Sequence, residues 1–165
     1  KIDRSSFLMS RVKFEKEQSK TPVGLVVDDN QQNLELLQAY LEDIVCETVP
    51  AHNGLEALKI IGKRNIDLVL LDIMMPQMSG FEVCKRIKNN PKTSDIPVIM
   101  VTALNELGDI ERGVDSGTDD FLIKPINKFE FLARVRTMLK LKHLTDKLER
   151  TLAYLSEIEK QAQQT

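Results

Sequence analysis

The chain has 165 residues, enough for one globular domain of ordinary size and an extension. Apolar residues make up 42% of it, charged residues 29%, and the formal net charge is -2. This balance is typical of globular proteins and argues against a direct nucleic-acid-binding domain, which usually carries a basic surplus.

The cysteines and the lengths of the apolar runs indicate the cellular compartment of the protein. Cys46 and Cys84 have no metal-site spacing and lie in apolar surroundings, as small core residues do in a reducing environment. The longest apolar runs are too short to span a bilayer, and no secretory signal is visible. We therefore expect a cytoplasmic protein with no membrane insertion.

Residues 1–22 form the first predicted segment, a leader that mixes charged and apolar residues without a firm period. We expect it to be solvated and at most loosely helical. Because the chain opens on Lys1, residues 1–8 could derive from cloning, with Met9 as the natural start.

From residue 23 onward, strand and helix patterns alternate. In the first half, the predicted elements are a strand over 23–27, a helix capped near Asn30, a weaker strand over 45–51, a helix ending at Gly62 and a strand over 67–72. In the second half, they are a loop over 73–80, a helix ended by Asn89-Asn90-Pro91, a strand over 96–101, a short helix over 107–116, a strand over 119–123 and a long helix from Asn127. This alternation predicts an α/β fold with a parallel sheet covered by helices on both faces, while the strand order stays open.

Asp72 ends the third predicted strand, an uninterrupted Leu/Val run typical of a strand buried on both faces. Such sheets bind ligands outside the carboxyl ends of their strands. A single aspartate there more often caps the next turn. Polar groups also follow the other strands, however: Asp28 and Asp29 the first, Thr102 the fourth, and Lys124 the fifth. In a parallel sheet they would all open onto one edge.

These residue types favour phosphoryl chemistry. Three carboxylates close together repel one another, and Mg2+, which prefers oxygen ligands, would relieve the crowding. Asp72 is the best candidate nucleophile for an aspartyl phosphate. Lys124 would add positive charge, and Thr102 a hydroxyl for a phosphoryl oxygen. There is no GxxxxGK[ST] phosphate loop, so nucleotide binding is not indicated.

At this edge the sequence resembles the receiver domain of two-component response regulators. The resemblance covers about residues 23–140, and the matching motifs are Val-Val-Asp28-Asp29-Asn30, Leu-Leu-Asp72-Ile-Met-Met-Pro76 with Gly80, Val101-Thr102-Ala103, and Asp119-Asp-Phe-Leu-Ile-Lys124-Pro125. It implies a doubly wound, flavodoxin-like sheet in the order 2-1-3-4-5. It also implies a phosphoacceptor signalling switch, itself no enzyme, whose partner is a histidine kinase or phosphotransfer protein.

The resemblance implies roles for individual residues. Asp72 would be the phosphoacceptor. The Mg2+ ligands would be Asp29, Asp72 and the backbone carbonyl of Met74, with Asp28 acting through water. Thr102 and Lys124 would bind the phosphoryl oxygens.

It also implies that the Lys124-Pro125 peptide is cis and that Phe121 is the switch aromatic, coupled to movement of Thr102. Phe121 stands where tyrosine is commoner, so the switch lacks a hydroxyl. Met74 and Leu104, two residues beyond Asp72 and Thr102, are apolar where polar groups can orient the attacking water, which predicts a long-lived phosphoryl group.

Residues 141–165 extend beyond the usual end of a receiver. Residues at three- and four-residue steps predict a heptad seam: Leu141, Leu144, Leu148, Thr151, Leu155, Ile158 and Ala162. The helix could fold back on its own domain. We favour instead a parallel coiled coil joining two copies, or a signalling helix to an output domain. A second possible dimer face is formed by the 107–116 helix, the fifth strand and the helix from Asn127.

Two other functions remain open from the sequence. A phosphatase of the haloacid dehalogenase type also uses an Asp, a Thr and a Lys, but Asp28-Asp29-Asn30 departs from its DxD motif and no cap domain is visible. A receiver-like binding module that is never phosphorylated is the other alternative, and the intact acid set argues against it.

Overall fold

The computed structural model describes residues 4–17, 20–103 and 107–164. The elements, in chain order, are α1 (Arg4–Glu17), β1 (Val23–Val27), α2 (Gln31–Leu41), β2 (Glu47–Ala51), α3 (Gly54–Lys63), β3 (Leu68–Leu71), α4 (Gly80–Asn89), β4 (Val98–Thr102), α5 (Leu107–Ser116), β5 (Asp120–Ile123) and α6 (Lys128–Gln163). None of the helices in these ranges is long and apolar enough to cross a membrane.

The five strands form one parallel sheet in the order β2-β1-β3-β4-β5. This confirms the predicted doubly wound architecture. In the register of the sheet, Val27 pairs with both Ala51 and Leu71. The residues that follow β1, β2 and β3 therefore emerge side by side at one edge.

Two compact units make up the described chain. Pro22–Lys142 forms the larger one, which holds the sheet and α2 to α5 with the first part of α6. The other combines α1, in the predicted leader, with α6 from His143 onward. We predict that the receiver domain ends at residue 140, which is close to the division between the two units at Lys142.

The sheet separates two apolar clusters in the larger unit. The α3–α4 cluster covers one face and includes Leu25, Val69, Phe81 and Ile87 among its buried members. The α2–α6 cluster covers the other and includes Leu34, Leu70, Ile99 and Phe131. Because successive strand residues point to opposite faces, each strand supplies both clusters, which explains its uninterrupted apolar sequence.

Side-chain caps begin four of the helices. In each, an Asn or Ser side-chain oxygen accepts a backbone N–H three residues further on, which satisfies one of the free donors of the first turn. The pairs are Asn30 with Asn33, Asn53 with Glu56, Ser79 with Glu82 and Asn127 with Glu130. The predicted cap at Asn30 is confirmed.

The second strand is shorter than the sequence predicts. The strand begins at Glu47, whose N–H donates to the carbonyl of Pro22 over 2.8 Å, at the point where β1 itself begins. Val45 precedes this ladder and is 82% exposed, so placing it in the strand was wrong. The register with β1 begins at Glu47, which pairs with Val23.

Gly80 gives a test of how tightly the turn after β3 is packed. A Cβ at Gly80 would overlap the carbonyl oxygen of Asp72 and come within 2.8 Å of the Ile73 Cα, both of them backbone atoms that cannot rotate away. We expect Gly80→Ala to lower the free energy of unfolding by about 3 kcal/mol. The measurement is urea unfolding followed by circular dichroism.

Gly62→Ala is the matched control, since Gly62 is also helical and a Cβ there has no atom within 4 Å. It should raise the stability by at most about 1 kcal/mol, the ordinary helix-propensity gain. Equal unfolding midpoints for the two variants would contradict the close approach at Gly80.

Candidate functional site

An acidic cluster lies at the carboxyl edge of the sheet. Asp28 and Asp29 follow β1, and Asp72 follows the neighbouring strand β3. One carboxylate oxygen of each lies within 4.8 Å of the others. Asp28 and Asp72 are buried, with 1% and 7% of their surface exposed, whereas Asp29 is exposed. The predicted site acids are thus brought together, with one open to solvent.

Hydrogen bonds fix the buried carboxylate of Asp28. Its Oδ1 accepts the backbone N–H of Asn30 over 2.9 Å. Its Oδ2 accepts from the Asn33 side-chain amide over 3.1 Å and from the Lys124 ammonium over 3.2 Å. Three donors, one of them charged, compensate for the burial of this carboxylate.

The burial of the Asp72 carboxylate is compensated less well than that of Asp28. Its Oδ1 accepts the N–H of Ile73 over 2.9 Å, and the Lys124 Nζ lies 3.9 Å away. Burial, together with the repulsion from Asp28, raises the pKa of Asp72 to about 6, against the opposing effect of Lys124. The carboxylate is therefore ionised at neutral pH but at an energetic cost.

Lys124 and Thr102 lie beside these acids. The Lys124 ammonium contacts both buried carboxylates, closer to Asp28 than to Asp72. The Lys124 N–H donates to the Thr102 carbonyl over 2.8 Å, and the Thr102 side chain is fully buried. The Lys124-Pro125 peptide is cis, as expected from the resemblance.

The donor set fits a hard divalent cation. Three carboxylates that share a small volume carry more negative charge than Lys124 neutralises, as the raised pKa of Asp72 indicates. Mg2+ binds such oxygen ligands and retains waters in its remaining positions. The side chain of Met74 is 65% exposed, and its backbone carbonyl stays a predicted ligand.

Phe121 lies on β5, with its ring packed against the α3–α4 cluster. It rests on α5 at Gly113, where a Cβ would overlap two ring carbons of Phe121 and lie 3.4 Å from the Met100 sulfur. The absence of a side chain at Gly113 thus makes room for the ring. The switch role of Phe121 stays a prediction.

Sequence reasoning missed two residues that shape the site. Asn33 was not singled out, although its position in the first turn of α2 places its amide near the end of β1. Gly113 lies within the predicted 107–116 helix, where its sequence context indicates no role at the site. The sequence holds no sign that a ring from another element occupies the space above it. Leu104 lies outside the described residues.

The family model of the response regulator receiver domain matches residues 25–136. The chain belongs to this family. The match includes the acids, Thr102 and Lys124, and it agrees with the resemblance drawn from the motifs. The family accounts for the sheet order and for the position of the site at its carboxyl edge.

Curated relatives are response regulators and transcriptional regulators. The chain is 44% identical over 124 residues to the response regulator PleD of Caulobacter vibrioides, covering 75% of this chain and 27% of the relative. It is 39% identical over 119 residues to the DNA-binding dual master transcriptional regulator RpaA of Synechocystis, covering 72% and 49%. The chain thus spans between about a quarter and a half of these relatives.

Solved structures share the fold of the receiver. The receiver domain of a signal transduction histidine kinase from Syntrophus aciditrophicus aligns with a TM-score of 0.69 and 32% identity, over 72% of this chain and 90% of that one. A two-component response regulator from Clostridium difficile aligns with a TM-score of 0.67 and 31% identity, over 72% and 96%.

The raised pKa of Asp72 predicts a pH-dependent stability. Between the ordinary value of 3.8 and about 6, the folded chain binds more protons at Asp72 than the unfolded chain does. The contribution of Asp72 to the free energy of unfolding is therefore greatest below pH 3.8. It falls as the pH rises from 3.8 to about 6 and is constant at higher pH. Asp72→Asn cannot ionise, so in metal-free buffer at pH 8 it should be more stable than wild type by up to about 3 kcal/mol.

Urea unfolding from pH 4 to pH 8 measures this difference, which should shrink towards the acid end. Added Mg2+ should also shrink it at pH 8 by stabilising the wild type. Asp115→Asn, at an exposed position on α5, is the control and should show no such trend. A pH-independent gap between Asp72→Asn and wild type would contradict the raised pKa.

Proposed function

We propose that this chain is the phosphoacceptor switch of a two-component phosphorelay, with Asp72 as the residue that takes the phosphoryl group. The observation that carries the proposal is the position of Asp72, buried at the end of β3 with two further carboxylates and the Lys124 ammonium around it. Membership in the receiver family supports it.

The donor in this proposal is a phosphohistidine of a histidine kinase or a phosphotransfer protein. A carboxylate oxygen of Asp72 attacks phosphorus, the O–P bond forms and the P–N bond breaks. The electron pair leaves with the imidazole nitrogen, which takes up a proton from solvent. Because only the ionised carboxylate is nucleophilic, the pKa near 6 keeps Asp72 competent at neutral pH.

The remaining groups serve positioning and charge neutralisation, which is most of what phosphoryl transfer requires. Asp29, Asp72 and the Met74 carbonyl would hold Mg2+, with Asp28 acting through water. When bound, the metal neutralises charge on the phosphoryl oxygens. The Lys124 ammonium would turn from Asp28 to a phosphoryl oxygen, and the Thr102 hydroxyl would donate to another.

The output of the switch would pass through Thr102 and Phe121. Movement of Thr102 towards the phosphoryl group would change the space available to the Phe121 ring above Gly113, and so bias the surface formed by α5 and β5 between two states. From there the change would reach a partner or an adjoining output domain. Since relatives extend well beyond the matched region, the nature of that output stays open.

A phosphorylation assay tests the central step. The chain is incubated with Mg2+ and either acetyl phosphate or beryllofluoride, and a stable adduct is detected by mass spectrometry or 19F NMR. We expect a stoichiometric adduct that is lost in Asp72→Ala and retained in Asp67→Ala, a carboxylate at the opposite end of the same strand. Without Mg2+ the adduct should form poorly.

Two outcomes would overturn the assignment. Rapid turnover of phosphate monoesters would favour a phosphatase of the haloacid dehalogenase type. A folded chain that forms no adduct would favour a receiver-like module that is never phosphorylated.

The lifetime of the phosphoryl group is a separate prediction. The exposed Met74 cannot orient an attacking water, so self-hydrolysis should take much longer than seconds. Met74→Asn adds a polar group at the same place and should shorten the half-life several-fold, whereas Met74→Leu should not. Loss of radiolabel from the isolated phosphoprotein measures it, and a wild-type half-life of seconds would contradict the prediction.

A further inference from the structure

One oxygen of the Asp28 carboxylate is shared between donors from two distant parts of the chain. Asp28 Oδ2 accepts from the Asn33 side-chain amide over 3.1 Å and from the Lys124 ammonium over 3.2 Å. Asp28 is only 1% exposed, so solvent has little access to replace a donor that is lost. A movement of the ammonium would therefore leave this oxygen dependent on the amide.

Lys124 has a second carboxylate within reach. Its ammonium lies 3.9 Å from Asp72 Oδ1, a distance at which the charges attract each other but form no hydrogen bond. In the proposed function the ammonium leaves Asp28 and turns to a phosphoryl oxygen on Asp72. The free energy of this movement depends on how well the Asp28 carboxylate is compensated once the ammonium has left.

Helix α2 holds Asn33 at a place where its amide can stay behind. Asn33 lies in the first turn of α2, and its backbone N–H donates to the Asn30 side chain over 3.1 Å. Its NH2 group faces Asp28, because an ionised carboxylate accepts hydrogen bonds and cannot donate them. The amide carries no charge, so a phosphoryl group attracts it far less than it attracts the ammonium.

We propose that Asn33 is a positioning residue of the switch. Its amide keeps the Asp28 carboxylate hydrogen-bonded, so that the Lys124 ammonium can move to the phosphoryl group on Asp72. The inference rests on the proposed function and deepens it, since it names the residue that makes the ammonium available. Asn33 acts through Asp28 and needs no contact of its own with the phosphoryl group.

The donors on Asp28 Oδ2 give the sign of the effect. Before the ammonium moves, this oxygen has both donors, and removal of the Asn33 amide leaves the charged one. After it moves, the amide is the donor that stays, and its removal takes away that compensation as well. A buried charged group loses most when its remaining donor is removed. Loss of the amide should therefore disfavour the phosphorylated arrangement more than the resting one.

Binding of beryllofluoride, which takes the place of a phosphoryl group, is the first test. The dissociation constant is measured by 19F NMR on the full chain, with Mg2+ raised until the constant no longer changes. Asn33→Leu removes the amide, keeps a side chain branched at the same carbon and retains the backbone N–H that Asn30 caps. We expect the constant to rise roughly five- to tenfold, as for the loss of one hydrogen bond to a charged group.

Gln32→Leu is the matched control. Gln32 is exposed in the same turn of α2, so this change removes a neighbouring amide by the same kind of substitution. It should leave the dissociation constant of beryllofluoride unchanged. An Asn33→Leu chain that binds beryllofluoride as well as the wild type does would overturn the proposal, whatever the other variants show.

The same substitution in a Lys124→Ala background separates positioning from a merely structural role. Without the ammonium, Asp28 Oδ2 keeps the same donor before and after beryllofluoride binds. Asn33→Leu should then no longer change the dissociation constant of the already weakened complex. If Asn33 only held Asp28 or the start of α2 in place, the constant would rise by the same factor in both backgrounds, and that result would overturn the proposal.

Urea unfolding without beryllofluoride tests the sharing of the oxygen itself. Asn33→Leu should lower the unfolding midpoint less in the wild type, where the ammonium remains on Asp28, than in Lys124→Ala. An equal change in the two backgrounds would contradict the sharing and overturn the proposal. Circular dichroism before each titration verifies that the variants are folded.

The failure of this inference and that of the proposed function are separate results. A folded wild-type chain that binds no beryllofluoride would overturn the proposed function, and with it the need to release the ammonium. A wild type that binds it through Asp72, together with an Asn33→Leu chain that binds it equally well, would overturn the role of Asn33 alone.

Discussion

The site depends on one electrostatic constraint, the burial of the Asp72 carboxylate next to the buried carboxylate of Asp28. Two negative charges removed from water on neighbouring strands destabilise each other, and a single ammonium is shared between them. Asp28 takes the larger part of this compensation through Lys124, Asn33 and Asn30. The ionised form of Asp72 is therefore disfavoured. Added positive charge, or a neutralised phosphoryl group, would reduce this electrostatic cost.

The backbone around the site has little conformational freedom, so that most of the freedom there belongs to the side chains. Asp72 follows a strand held on both sides by parallel partners, and Gly80 packs directly on the turn that leaves it. Thr102 and Lys124 are joined through the backbone N–H of Lys124. Any response at this edge therefore has to come from side-chain rotation and from the segments that follow the strands.

Much of the fold could be read from the sequence because its strongest signals are local. Apolar runs that stop at Asp28, Asp72 and Thr102 place both the strands and the site, since parallel strands share one carboxyl edge. The capping role of Asn30 is equally local. The order of the strands came from the resemblance to receiver domains and not from the residues themselves.

The features that were not predicted from the sequence have a common physical cause, because each depends on contacts between different elements. Val45 fits a strand pattern, but its neighbour strand begins too late to pair with it. Gly113 is defined by the Phe121 ring above it, which arrives from a different element. On α6, Leu152 is exposed and Thr151 is half-buried, which the three- and four-residue steps of the sequence pattern do not predict.

The division of the core by the sheet has a consequence for how this protein can diverge. Side chains of the α3–α4 cluster and of the α2–α6 cluster point away from each other across a single layer of backbone. Substitutions in one cluster should therefore add to those in the other with little coupling, because they share no side-chain neighbours. The helices that cover one face of the sheet can then change in sequence while those on the opposite face stay the same.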